Sequence, residues 1–124
     1  MDWDDFRPWA KQLIDWGVDY RKTLADRPVR SQGKPGDVLA ALEGSPPESP
    51  ETMKAIMADF ERVVMPGITH WQHPRFFAYF NSNAAPASVL AEFLVSVLAP
   101  QCMLWQPSPA ATEMETRMME WLIK

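Results

Sequence analysis

His70 and His73 stand three residues apart, a spacing that on a helix would turn two imidazoles to one face and offer a metal ion two ligands. Pro74 and the Pro66-Gly67 pair argue against a helix there, and no third His, Cys or carboxylate completes the set. Cys102 would act as a nucleophile only beside a positioned base, and no such partner is identifiable, so a buried, inert thiol is the expectation. Ser108 precedes Pro109 and reads as a helix cap, not as the serine of a nucleophile elbow. Gly33, Gly36 and Gly44 are scattered through a proline-rich stretch and form no phosphate cradle.

The stretch His70 to Asn81 offers a different chemistry, because it brings Trp71, Phe76, Phe77, Tyr79 and Phe80 close together between two predicted helices. Flat apolar rings bind by stacking and burial. Pro74 removes a backbone donor and biases His73 toward an extended conformation, so Phe76 to Phe80 reads as a short extended run. In a small domain such a run is usually core, and that reading stands beside the reading as a site.

Helices are expected to hold this stretch. The first runs from about Asp5 to Leu24, with acids at its positive end and Phe6, Ala10, Leu13, Ile14, Gly17, Tyr20 and Leu24 on one apolar face. Trp9 and Trp16, seven apart, add a second aromatic stripe that asks for burial against another subunit. Arg27 to Pro50 is rich in proline and glycine and should be mostly irregular, with a short helix around Asp37 to Leu42. Ser49-Pro50-Glu51 reads as the start of a helix that ends at Met65-Pro66-Gly67. Pro86 opens a third helix, apolar nearly all round and therefore expected to be buried, and Pro100 ends it. Ser108-Pro109 starts a fourth, with Met114, Met118, Trp121 and Leu122 along one side.

Composition narrows the function classes. The 124 residues permit one small domain, and a net charge of −4 argues against nucleic acid, whose phosphates require clustered Lys and Arg. No apolar run approaches the roughly 20 residues of a membrane span. The longest, Ala84 to Cys102, is broken by Pro86, Glu92 and Pro100. Asp2, Asp4 and Asp5 are the wrong charge for a signal peptide, and a lone cysteine suits the reducing cytoplasm. Six Trp and eight Met suit surfaces that a partner covers.

Two motifs carry a resemblance. Thr69-His70-Trp71 followed by His73-Pro74-x-Phe76-Phe77-Ala78-Tyr79-Phe80, and then Leu104-Trp105 with Ser108-Pro109-Ala110-Ala111-Thr112-Glu113-x-Glu115, resemble the amino-terminal part of the group II pyridoxal-phosphate-dependent decarboxylases, the aromatic L-amino-acid decarboxylase family. The resemblance covers essentially the whole chain but only the first quarter or so of such an enzyme. It implies a mostly α chain: an amino-terminal helical dimerisation segment with a substrate-pocket loop over residues 1–82, then from residue 83 to 124 the first helices of a type I pyridoxal-phosphate-dependent transferase-like large domain whose sheet is absent. Its implied partners are an amino-acid substrate and a second copy of the chain in a homodimer.

The resemblance further implies pyridoxal 5'-phosphate as cofactor, bound as a Schiff base to a lysine directly after a histidine. None of Lys11, Lys22, Lys34, Lys54 or Lys124 follows a histidine, so these residues alone should not catalyse. Trp71, Tyr79 and Phe80 match positions lining the cavity for the substrate side chain, and Ser82 matches a small hydroxyl residue close to the substrate. Met103 falls where an aromatic residue commonly reaches into the neighbouring subunit's site, and Gln101 where an apolar residue is usual. Asn81 replaces a proline common after the Tyr-Phe pair. The resemblance implies an aromatic L-amino acid as substrate, and with Asn81, Gln101 and Met103 in place the pocket is expected to prefer something other than dopa. Some relatives form an aldehyde instead of simply decarboxylating. From another class comes the alternative of a free-standing helical module that only dimerises or binds a partner.

Overall fold

The computed structural model describes residues 1–81 and 84–123. Among these residues there are α-helices and tighter or wider helical turns, with no strand, so the mostly helical expectation holds. The chain divides into two compact units, Met1–Asn81 and Ser82–Lys124.

In the first unit, α1 (Trp3–Lys22) begins earlier than the sequence suggests, because the Asp2 carboxylate accepts from the backbone N–H groups of Asp4 and Asp5 at 3.0 Å each. Of the predicted apolar face, Phe6, Ala10, Gly17 and Tyr20 are partly buried and Leu24, just beyond the helix, is buried. Leu13 and Ile14 are exposed, whereas Trp16 turns inward, stacks on Tyr20 at 5.4 Å between ring centroids and meets the edge of Phe60. The Trp16 indole N–H donates to the Glu61 carboxylate, which fixes the ring across the gap between helices.

The connector holds a 3-10 turn, Leu24–Asp26, and the short α2 (Asp37–Ala41) entered through Gly36 in the left-handed region at φ 96°. The predicted start at Ser49 lies too early. α3 spans Met53–Asp59, and Thr52 caps it by accepting from the Ala55 N–H at 3.2 Å, a role Ser49 cannot fill three residues upstream. The chain then widens into a π-helical turn, Phe60–Val64, where the Met65 N–H reaches back five residues to the Phe60 carbonyl. A 3-10 turn, Met65–Gly67, closes it. Gly67 faces Val38 so closely that an added Cβ would lie 2.7 Å from Val38 Cγ2.

The buried side chains of this unit are few: Leu24, Val63 and Met65 form an apolar centre, and His70 and His73 complete it. In the second unit α4 (Pro86–Leu98) starts at its proline as expected and stops where Ala99 enters the left-handed region at φ 46°, just before Pro100. α5 (Pro109–Ile123) follows, with the Ser108 carbonyl accepting from the Thr112 N–H at 3.2 Å. The expectation that α4 is buried is not met. Val89, Leu90, Phe93, Leu94, Val95, Val97 and Leu98 are all exposed, because no described residue of this unit supplies a covering layer.

Candidate functional site

The segment from His70 to Asn81 folds as two contrasting halves. Its first half is a set of turns tied to α1 and to the connector. The His70 N–H donates to the Val29 carbonyl, the His73 N–H to the His70 carbonyl, and the Phe76 N–H to the His73 carbonyl, each at 2.9 Å. Ser31 Oγ donates to the Pro66 carbonyl at 2.9 Å and pins the same connector just upstream.

Both histidines are buried, at 4% and 3% exposure for His70 and His73. Buried imidazoles need partners, and these have them. The Arg75 N–H donates to His73 Nδ1 at 2.9 Å, so that nitrogen carries a lone pair and the ring hydrogen sits on Nε2, which donates to the Ala25 carbonyl at 3.3 Å. With both nitrogens used, His73 is a strut between its own turn and the 3-10 turn Leu24–Asp26 that follows α1. His70 Nδ1 shares a hydrogen bond of 2.9 Å with the Tyr20 hydroxyl on α1. The Arg27 guanidinium lies over the Tyr20 ring, 5.1 Å from its centroid, and its buried Nε meets no acceptor among the described residues. Burial first, the positive charge of Arg27 second and His73 third hold the His70 imidazole below its ordinary pKa. No group of three His, Cys, Asp or Glu side chains able to hold a metal occurs among the described residues. Tyr20 and Arg27 carry no signal in the sequence beyond a tyrosine on an apolar face, since their meeting with His70 spans about half the first unit.

The second half is open. Phe77, Tyr79 and Phe80 are exposed, with Phe80 at 101%, and the extended run expected over Phe76 to Phe80 is instead broken by a bend. It is not core. Tyr79 adopts φ 56°, a left-handed conformation that a non-glycine residue rarely takes, and the chain reverses there. The reversal lays the Tyr79 ring on Trp71, 5.5 Å between centroids and 17° from parallel. Trp71 also stacks on Phe76 at 5.1 Å. Asn81 Nδ2 donates to the Trp71 carbonyl at 2.9 Å, so Trp71, Tyr79 and Asn81 are brought together while Phe80 points away.

Ser82 lies outside the described residues. Gln101 and Met103 belong to the second unit, in the connector between α4 and α5, and both are exposed. Cys102 beside them is exposed as well, contrary to the expected buried thiol; it makes only a long contact of 3.9 Å to the Pro100 carbonyl, and the connector has nothing packed over it within its unit. Further along, Trp105 Nε1 donates to Glu113 Oε1 at 2.8 Å, which ties the Leu104-Trp105 motif to the start of α5. A depression of about 390 Å³ lies elsewhere, among Leu42, Ile56, Phe60 and Val63, and includes none of the aromatic wall.

Residues 35–124 match the model of the pyridoxal-dependent decarboxylase conserved domain. The chain is 40% identical to a phenylacetaldehyde synthase of Arabidopsis thaliana over 124 residues, all of this chain and 25% of that protein. It is also 40% identical to the aromatic-L-amino-acid decarboxylase of Rattus norvegicus, covering all of this chain and 26% of that one. Among solved structures, tryptophan decarboxylase of Catharanthus roseus in complex with L-tryptophan superposes with a TM-score of 0.91 at 34% identity, over 98% of this chain and 26% of that one. The chain therefore spans about a quarter of the length of these relatives, and it matches their amino-terminal portion.

Proposed function

The chain belongs to the pyridoxal-dependent decarboxylase family, and we propose that it is the amino-terminal part of a cytoplasmic enzyme that removes the α-carboxylate of aromatic L-amino acids. In this reading it supplies one wall of the substrate pocket and part of a homodimer contact. The observation that carries the reading is the Trp71–Tyr79 pair, stacked at 17° yet still 42% and 84% exposed. A flat apolar surface held in one orientation and left open to a ligand favours an aromatic side chain by stacking and burial.

Phe80, Asn81, Ser82, Gln101 and Met103 are assigned to the same substrate site on the family pattern. The exposed apolar residues of α1, Trp3, Leu13, Ile14 and Val18, support the dimer contact. Lys11, Lys22, Lys34 and Lys54 are all exposed, and no lysine of the sequence follows a histidine. The cofactor's attachment is accordingly assigned to other residues of the enzyme, and what these residues do is bind and orient the substrate.

Purified full-length enzyme, loaded with pyridoxal phosphate, should release carbon dioxide from L-tryptophan, L-tyrosine, L-phenylalanine or L-dopa. Assaying amine, aldehyde and hydrogen peroxide together separates simple decarboxylation from aldehyde formation. The 124-residue chain alone should release none. No turnover on any aromatic amino acid, with turnover on an aliphatic or acidic one, would overturn the reading.

A further inference from the structure

We infer that Asn81 is a positioning residue, which sets the Trp71–Tyr79 wall by tethering the chain after Tyr79 to the Trp71 backbone. The inference rests on the reading of that wall as the substrate surface. Its basis is the bond from Asn81 Nδ2 to the Trp71 carbonyl, which closes a loop of ten residues by a side chain. The same loop contains the left-handed Tyr79, and the reversal there is what returns both the Tyr79 ring and the Asn81 amide to one residue, Trp71. A left-handed tyrosine costs on the order of 1–3 kcal/mol and persists only where its surroundings hold it. Among the described residues, Asn81 and the ring stack are contacts that hold it here. One grips the backbone of Trp71 and the other its indole.

The loop also has a fixed end. Trp71 follows His70, whose ring and backbone N–H are anchored to Tyr20 and Val29. Asn81 thus tethers an exposed arm to an anchored residue. One of the two N–H donors of its amide is taken up by that tether, the Trp71 carbonyl lying at full hydrogen-bonding distance.

Asn81→Asp in the full-length enzyme tests the inference, since it keeps the shape of the side chain and removes the donor. The near-ultraviolet circular-dichroism band that disappears in Tyr79→Leu reports the stack, and Asn81→Asp should lose most of it. For L-tryptophan, KM should rise about threefold, the low end for loss of a solvent-exposed hydrogen bond, with kcat nearly unchanged. In a Trp71→Ala background, which keeps the carbonyl but removes the ring stack, the same substitution should cost clearly less than in the parent, because the stack that Asn81 positions is already gone. An intact band, or an equal loss of kcat/KM in both backgrounds, would overturn the inference, the second result meaning that Asn81 meets the substrate directly. A lost band with unchanged kinetics would uphold the tether and overturn the reading of the wall as the substrate surface.

Discussion

Within twelve residues the chain makes two opposite arrangements: the turn at His70 to Arg75 buries its polar rings, and the arm at Phe77 to Phe80 exposes its apolar ones. A rule that sends aromatics inward and histidines outward would place both halves wrongly. The turn can be buried because both nitrogens of His73 and the Nδ1 and backbone N–H of His70 have partners, from the Arg75 N–H, Ala25, Tyr20 and Val29. The arm is exposed because the left-handed Tyr79 turns it back on Trp71, away from Leu24, Val63 and Met65. One half is anchored by hydrogen bonds to α1 and to the connector after it; the other is exposed. That difference separates a residue's contribution to stability from its contribution to binding.

The largest test of the contrast is His73→Ala in this chain. It opens a cavity and strands the Ala25 carbonyl and the Arg75 N–H, and it should cost about 3 kcal/mol of unfolding free energy. Chemical denaturation followed by far-ultraviolet circular dichroism measures it; a cost below about 0.5 kcal/mol, the range of ordinary surface substitutions, would mean the turn is no anchor. Next comes Tyr79→Ala in the full-length enzyme. It should lower kcat/KM for aromatic substrates roughly 30-fold, or about 2 kcal/mol, while cofactor absorbance stays at the parent level. Full turnover on every aromatic amino acid tested would remove Tyr79 from the pocket. Tyr20→Phe should then cost about 1 kcal/mol of stability, because it deletes one hydroxyl and leaves His70 Nδ1 without that partner.

Acidity probes the same anchor more gently. The His70 pKa is depressed in the folded chain from an ordinary value of 6.5, so the unfolded chain takes up the proton first as pH falls. The contribution of the neutral ring is therefore complete above about pH 6.5 and is lost as pH drops below that value through the lower folded one. Stability measured from pH 7.5 to 5 should decline, and His70→Asn should flatten the decline. An unchanged slope in the variant would assign the proton uptake to another group.

Parts of this were legible from residue types alone. Pro86 and Pro109 mark the starts of α4 and α5, since a proline fits the first turn of a helix and little else. The family was legible too, from its two motifs. The π-helical turn at Phe60–Val64 was not, because widening a helix by one residue is decided by what packs beside it. Nor was the reversal at Tyr79, since nothing in a tyrosine's own preferences selects a positive φ. The Ser49-Pro50-Glu51 start failed for a local reason: Thr52 offers an equally good cap and lies nearer the first packed residues of α3.

The smallest expected effect divides the two halves most sharply. Phe80 is as exposed in the folded chain as it is when unfolded, so Phe80→Ala removes no burial and should change the stability of this chain by less than about 0.5 kcal/mol. The same substitution in the full-length enzyme has a different reference. If the rest of the enzyme or a substrate covers the ring, its loss should cost about 1.5–3 kcal/mol there, as for any fully buried phenylalanine. Measuring both gives the burial that the surroundings add to the arm, since the local chain is common to the two experiments and cancels. A large cost already present in the isolated chain would show Phe80 packed in solution, and the arm would then belong with the turn as part of the core. Equal, near-zero costs in both would leave Phe80 outside the pocket and confine the aromatic wall to Trp71 and Tyr79.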